Sequence, residues 1–194
     1  MTKALLVVDA QKIYTNPESE MFCRDARATI GRINRLVDLF QRENDPVVLV
    51  RHVHRADGSD LGRMFDYLGE PDETFNFKED SEEVEYDEEL VRPPGAIEII
   101  KNRYSAFAGT DLDGKLNEAK VDTVVVCGFM TNFCCESTAR CAHDRDYFVD
   151  FILDATGTPG TENMDEEKIR SVVGELLVSG FSRVASTDSY LQGK

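Results

Sequence analysis

The segment Ala4–Asp9 reads ALLVVD, an apolar run that stops at an acid. A short continuous run of this kind is typical of a strand buried on both faces of a parallel sheet. Five further strands are predicted at 47–50, 96–100, 121–127, 148–153 and 181–185. The chain thus predicts a succession of buried strands, each followed by polar residues or by a turn.

The segments between these strands have helical periodicity. Residues 25–43 place Ala26, Ile30, Ile33 and Val37 on one side of a helix, with arginines elsewhere on its surface. Further helices are predicted at 110–119, 131–143 and 164–179. Strands that alternate with helices indicate an α/β fold of three layers, a doubly wound six-stranded parallel sheet of Rossmann-like or flavodoxin-like type.

The length of 194 residues favours a single domain spanning residues 1–194. A variable, acidic segment lies at about residues 55–95, where loops and a short helix are expected. No GxGxxG motif follows the first strand, and no GxxxxGK[ST] motif occurs. The sequence therefore does not support dinucleotide binding or a P-loop.

The net charge of −15 is concentrated in one segment. Residues 71–90 hold ten acids against one lysine, Lys78, for a net charge of −9. This segment is expected to be solvated or to dock a partner. The charge argues against binding of nucleic acid or anionic membranes. No apolar run is long enough to span a membrane and no secretion signal is visible, so a cytoplasmic location is expected.

The five cysteines are odd in number and do not predict a disulfide framework. Four of them lie between residues 127 and 141, without the paired CxxC spacing of a structural zinc site. The clustering makes the region around Cys134 and Cys135 a candidate site for thiol chemistry.

Ligands of open α/β sheets bind beyond the carboxyl ends of the strands. The polar residues that follow predicted strands are Asp9 and Gln11, Arg51, His52 and His54, Lys101, Cys134 and Cys135, and Asp154. A carboxylate, an ammonium and a thiol at one sheet edge can together perform nucleophilic catalysis without histidine. Each group taken alone could equally be structural, and the two adjacent thiols are not distinguished by this reasoning.

These residues resemble the isochorismatase-like cysteine hydrolase family, which includes nicotinamidases and N-carbamoylsarcosine amidohydrolases. The matching stretches are 9–11 (DAQ), 101–107 (KNRYSAF), 128–134 (GFMTNFC), 138–142 (TARCA) and 154–155 (DA). The resemblance covers nearly the whole chain and implies that Asp9, Lys101 and Cys134 are catalytic. The spacing from Gly128 and Thr131 favours Cys134 as the nucleophile, and Cys135 is then expected to pack in the core.

The resemblance also implies the surroundings of the nucleophile. A cis peptide is expected between Phe129 and Met130, with the backbone N–H groups of Met130 and Cys134 forming an oxyanion hole. Residues proposed for the substrate pocket are Gln11, Tyr14, His52, Tyr104, Phe107 and Phe133.

Nicotinamidases of this family bind a divalent ion through an aspartate-x-histidine pair and a later histidine. Here His52-Val53-His54 stands in that place, and no further histidine occurs before His143. Two ligands make a poor site, so neither a metal nor another cofactor is expected.

The function expected is cysteine-dependent hydrolysis of a small C–N substrate, an amide, carbamoyl or ureide compound, through a thioester. The thiol of Cys134 is expected to have a pKa well below its free value, because a helix terminus and Lys101 both favour the thiolate. Alternatives are an isochorismate-type vinyl-ether hydrolase, a silent binding or scaffold protein, and a redox pair of Cys134 and Cys135. The partners expected are a small-molecule substrate and further copies of the chain in a dimer or tetramer, without nucleic acid or membrane.

Overall fold

A computed structural model describes residues 2–66, 69 and 74–193. Its strands are β1 (Lys3–Val8), β2 (Val47–His52), β3 (Ile97–Lys101), β4 (Thr123–Phe129), β5 (Phe148–Gly157) and β6 (Arg183–Ala185). They form one sheet in the order β3-β2-β1-β4-β5-β6, and all neighbouring strands run parallel. The predicted doubly wound, six-stranded parallel sheet is confirmed.

The helices are α1 (Lys12–Thr15), α2 (Ala26–Glu43), α3 (Leu112–Glu118), α4 (Glu136–His143), α5 (Glu166–Val178) and α6 (Thr187–Leu191). The helix predicted at 131–143 begins instead as a π-helical segment, Thr131–Cys135, before α4. The sequence analysis missed α1 and α6, because four or five residues are too few to show helical periodicity. In the described part of 55–95, the short helix expected there is a 3₁₀ turn, Glu82–Val84.

Two hydrophobic layers enclose the sheet. Leu5 and Val7 of β1 pack on the side of α1, α2 and α6, whereas Leu6 and Val8 pack on the side of α3, α4 and α5. This alternation follows from the two-residue period of a strand. Since both faces of the central strands are covered, their continuous apolar runs have a physical reason.

The direction of chain winding reverses between β1 and β4, which are neighbours in the sheet. Loops leaving the carboxyl ends of these two strands diverge to opposite sides, and this divergence opens a crevice. Asp9 follows β1 directly, and the π-helical segment follows β4. The topology therefore brings these two segments to one place.

The acidic segment is anchored to the sheet edge by apolar residues between its acids. Phe77, Val84, Tyr86 and Leu90 are buried in the layer that contains α2. Isolated bridges join Gln11 to Tyr86 and His54 to Lys78. The segment thus covers the carboxyl ends of β1 and β2. Residues 67, 68 and 70–73, which include Asp72 and Glu73 of the acidic run, lie outside the described residues.

No helix in the described ranges has both the length and the apolar character that crossing a membrane requires.

Gly128 lies in β4 against the end of β1, with no room for a side chain. Its φ is +119°, and a Cβ added there would lie 1.9 Å from the carbonyl oxygen of Val8. We expect Gly128→Ala to lower the free energy of unfolding by more than about 3 kcal/mol, since the backbone of β1 would have to move. Gly31→Ala is the matched control, because a Cβ at Gly31 in α2 meets nothing within 4 Å. This control should be neutral or stabilising by up to about 1 kcal/mol. Equal denaturation midpoints for the two variants would contradict the expectation.

Candidate active site

Asp9 is placed by the end of β1 and is completely buried. Its backbone has a φ of 48°, in the left-handed region, and its N–H donates to the carbonyl of Val50 on the neighbouring strand. Non-glycine residues adopt this conformation infrequently and often at functional sites. The strained turn ends β1 and leaves the carboxylate at the sheet edge.

Lys101 is the last residue of β3, and its side chain has no exposed surface. Its Nζ lies 2.7 Å from Oδ2 of Asp9 and 3.3 Å from Sγ of Cys134. The same nitrogen donates a hydrogen bond of 3.0 Å to the carbonyl of Arg103. The three N–H donors of the ammonium are therefore occupied by a carboxylate, a thiol and a backbone carbonyl.

Cys134 lies in the π-helical segment after β4 and is 2% exposed. The preceding Phe129–Met130 peptide bond is cis, at the position that the family resemblance implies. The hydroxyl of Thr131 donates to Thr156 at 2.8 Å, which ties the start of the segment to β5. Cys135 is fully buried in the core layer with Ala139 and Phe151. The oxyanion hole formed by the N–H groups of Met130 and Cys134 stays a prediction.

Burial dominates the electrostatics of the three groups. Burial raises the pKa of the Asp9 carboxyl, and Lys101 offsets only part of that effect. Burial would lower the pKa of Lys101, but the adjacent Asp9 and Cys134 raise it above its usual value. Lys101 therefore stays protonated between its two partners.

The expectation of a low thiol pKa is wrong. Burial raises the pKa of the Cys134 thiol to about 12, and the neighbouring Asp9 adds to the rise while Lys101 opposes it. The sequence analysis counted the favourable ammonium and helix terminus but not the removal of the thiol from water. At rest the site therefore holds a neutral thiol beside an ionised carboxylate and an ammonium.

This arrangement favours internal proton transfer. When the thiol proton moves to Asp9, the negative charge moves from oxygen to sulfur, and both atoms contact the ammonium of Lys101. The net charge of the buried group stays at zero, so no new charge is taken out of water. Creating a lone thiolate in the same surroundings would carry the full cost of burying a charge. Asp9 can thus act as the base that activates Cys134.

His52 and His54 lie next to these groups. A ring nitrogen of His52, a carboxylate oxygen of Asp9 and Sγ of Cys134 all lie within 4.8 Å of one another. Nε2 of His52 is 3.0 Å from Nε2 of His54, whose Nδ1 is 3.3 Å from Oδ1 of Asp60.

These donors do not fit a divalent metal ion. Asp9 and Cys134 already surround the ammonium of Lys101, which would repel a second cation. His54 uses its other nitrogen on Asp60. The group of candidate ligands that the described residues bring together, Asp9, His52 and Cys134, is therefore already occupied by the ammonium. The expectation that no metal takes part stays a prediction.

The structure divides the proposed pocket residues into two groups. Tyr104 and Phe133 are partly exposed, and their ring centroids are 5.3 Å apart. Burial raises the pKa of Tyr104, and Cys134 adds to the rise. Together with His52, these two rings remain candidates for the pocket wall.

Gln11, Tyr14 and Phe107 have packing roles instead. The Gln11 amide donates to the carbonyls of His52 and Val84 and accepts from the N–H of His52, so its polar atoms are occupied. Tyr14 is 1% exposed and stacks on Phe129 at 5.4 Å.

The prediction that Phe107 lines the substrate pocket is wrong. Its ring stacks on Tyr147, which precedes β5 and so lies at the opposite end of the sheet. The motif from Lys101 to Phe107 leads away from the site after its first residues.

Sequence reasoning missed two residues near the site. Asp60 binds His54 and also accepts from the Asn102 side chain. Phe77 stacks on His52 at a centroid distance of 4.3 Å. The apolar residues at 75 and 77, within an acidic run, were a signal that this segment is anchored. Nothing in the sequence distinguished Asp60 from other loop acids.

Comparison with known proteins identifies the family. The family model of the isochorismatase domain matches residues 3–189. The chain belongs to the isochorismatase family. Within this family it is similar to nicotinamidase 3 of Arabidopsis thaliana, with 33% identity over 155 residues that cover 80% of this chain and 73% of the relative. The predicted family is therefore confirmed.

Two further similarities are to an amidohydrolase and to a cysteine hydrolase. A ureidoacrylate amidohydrolase of Methylorubrum extorquens is 36% identical over 102 residues, which cover 53% of this chain and 40% of the relative. The crystal structure of a cysteine hydrolase from Pseudomonas syringae pv. phaseolicola superimposes with a TM-score of 0.90 at 29% identity. That match covers 98% of this chain and 91% of the other.

The reactivity of the cysteines tests the coupling of Asp9 and Lys101 to Cys134. Peptide mapping after iodoacetamide treatment at neutral pH should find Cys134 modified and Cys135 unmodified. Asp9→Asn should speed the modification of Cys134 by at least about tenfold, because the carboxylate that raises the thiol pKa is gone and Lys101 is left to pair with the sulfur. Cys141, which is partly exposed, is the internal control and should react equally fast in both proteins. Modification of Cys135 before Cys134, or an unchanged or slower Cys134 rate in the folded variant, would contradict this coupling.

Proposed function

We propose that this isochorismatase-family hydrolase cleaves a C–N bond of a small amide or ureide through a thioester on Cys134. The contact of one buried ammonium with both a carboxylate and a thiol carries the proposal. Such a group can form and stabilise a sulfur nucleophile without water. The similarity to a nicotinamidase and to a ureidoacrylate amidohydrolase supports an amide or ureide substrate.

The first half of the reaction forms the S–C bond. Asp9 takes the proton of the Cys134 thiol, and the sulfur attacks the substrate carbonyl carbon. Negative charge then develops on the carbonyl oxygen, where the N–H groups of Met130 and Cys134 are proposed to donate hydrogen bonds. Asp9 delivers its proton to the departing nitrogen as the C–N bond breaks, leaving a thioester and a free amine or ammonia.

The second half of the reaction consumes water. Asp9, again ionised, removes a proton from a water molecule that attacks the thioester carbonyl. The C–S bond breaks and the sulfur recovers the proton, so the products are an acid and the regenerated enzyme. Lys101 remains protonated throughout and contacts whichever partner carries the negative charge.

The alternatives explain the site less well. Vinyl-ether hydrolysis of the isochorismate type needs no thiol, yet Cys134 contacts the ammonium directly. A silent scaffold gives no reason to bury an ion pair beside a thiol at the sheet edge. A redox pair of Cys134 and Cys135 is disfavoured because adjacent cysteines close only a strained ring.

A panel of small amides, carbamoyl compounds and ureides, assayed for release of ammonia or amine, tests the proposal. The wild type should hydrolyse at least one member. Cys134→Ala should lose activity by at least about a thousandfold, because the nucleophile is absent. Cys135→Ala, the matched control one residue away, should keep most of its activity and lose about 1 kcal/mol of stability from the missing sulfur. Turnover by Cys134→Ala, or no turnover by the wild type across the panel, would refute the proposal.

Dialysis against a chelator tests whether a metal contributes. Because the described residues offer no complete ligand set beside Lys101, we expect activity within about twofold of the untreated enzyme. The control is the dialysed enzyme assayed again after zinc or manganese has been added back. Loss of activity that either ion restores would contradict the expectation.

A further inference from the structure

A buried chain of hydrogen-bonding groups runs from Asp60 through His54 to His52. The distances are 3.3 Å from Asp60 Oδ1 to His54 Nδ1 and 3.0 Å between the two Nε2 atoms. Both histidines are 1% exposed. His52 stacks on Phe77, and Phe65 and Phe75 contact the ring of His54 edge-on. The packing fixes the orientation of both rings.

The chain determines where the ring protons are. Hydrogen bonds from the Asn102 side chain and the Arg55 N–H outweigh burial and lower the pKa of Asp60, so its carboxylate is ionised and only accepts. Burial lowers the pKa of His52 and of His54, so both rings are neutral. His54 must therefore carry its proton on Nδ1, facing Asp60, and its Nε2 is an acceptor.

The same reasoning extends to His52. Two nitrogens at 3.0 Å form a hydrogen bond only if one carries a proton, and His54 Nε2 carries none. The proton of His52 is thus on Nε2, and its Nδ1 is a bare acceptor. That Nδ1 is buried and has no hydrogen-bond partner among the residues that the structure describes. An unpartnered buried acceptor costs free energy, which a bound donor would recover.

We propose that His52 accepts a hydrogen bond from a substrate N–H, and that Asp60 and His54 fix the tautomer required for it. A ring nitrogen of His52 lies within 4.8 Å of both the nucleophilic sulfur and the carboxylate. The His52 ring is therefore close enough for its free nitrogen to accept from the N–H of a primary amide or ureide whose carbonyl carbon is attacked by Cys134. The inference rests on the proposed function for the identity of the substrate group, and it makes His52 a specificity residue.

Two alkylating reagents, one with amide N–H groups and one with N-methyl groups in their place, test this without a known substrate. Iodoacetamide carries an amide N–H, and N,N-dimethyl-2-iodoacetamide does not. The quantity measured is the rate of Cys134 modification by iodoacetamide divided by the rate with the dimethyl reagent. Dividing this ratio by the same ratio at Cys141 corrects for the intrinsic reactivity of the two reagents. In the wild type, we expect this normalised preference to exceed one. His52→Phe should reduce this normalised preference about fivefold to tenfold, the effect of one hydrogen bond.

Two variants serve as controls. His52→Asn places an amide oxygen near the former Nδ1 and should restore most of the preference. Asp60→Asn, which can present an N–H to His54, should reduce the preference, whereas Ser59→Ala on the same loop should not. Circular dichroism checks that each variant is folded.

The outcomes separate this inference from the proposed function. An equal loss of reactivity toward both reagents in His52→Phe would assign His52 a packing role and overturn the inference, as would an unchanged preference. If no amide in the panel is hydrolysed but the reagent preference is present, the proposed function is refuted and the acceptor role of His52 is supported. If amides are hydrolysed but the reagent preference is absent, the proposed function is supported and the acceptor role is refuted.

Discussion

The ion pair between Lys101 and Asp9 is the interaction on which the rest of the site depends. Both side chains are fully buried, and transferring two charges out of water is expensive unless each is closely paired. Removing one partner of such a pair typically costs about 3–5 kcal/mol, because the other charge is left buried alone. The sheet meets this requirement by ending β1 and β3 at the same edge and by placing Cys134 above both. Close packing at Gly128 holds β4, and thus the segment with the thiol, against β1.

Much of this arrangement was predictable from the sequence. The continuous apolar run ending in Asp9 and the mostly apolar run 96–100 before Lys101 predicted parallel strands. The rule that ligands bind at the carboxyl ends placed the three groups together. Short elements were not predictable, because α1 and α6 have too few residues to show a period. The π-helical start of the helix after β4 was also missed, since its residues have the same apolar pattern as a regular helix.

The electrostatic prediction failed for a physical reason. A sequence shows that a lysine and a helix terminus accompany the thiol, but it does not show how completely water is excluded. Burial outweighs the favourable effect of Lys101 on the pKa of Cys134. Long-range contacts such as Phe77 on His52 and Asp60 on His54 were equally invisible, because they join loops through the fold. Gln11 was proposed for the substrate pocket, but its amide donates to the backbone carbonyls of His52 and Val84.

The central claim is that Cys134 rests as a neutral thiol and becomes a nucleophile only by giving its proton to Asp9. Ultraviolet difference spectroscopy of the wild type against Cys134→Ser, titrated with pH, measures the thiolate directly. We expect no thiolate absorbance from Cys134 at about pH 7, and its appearance only at strongly alkaline pH, since a raised pKa keeps the proton on sulfur. A thiolate band at about pH 7 that Cys134→Ser abolishes would contradict the claim.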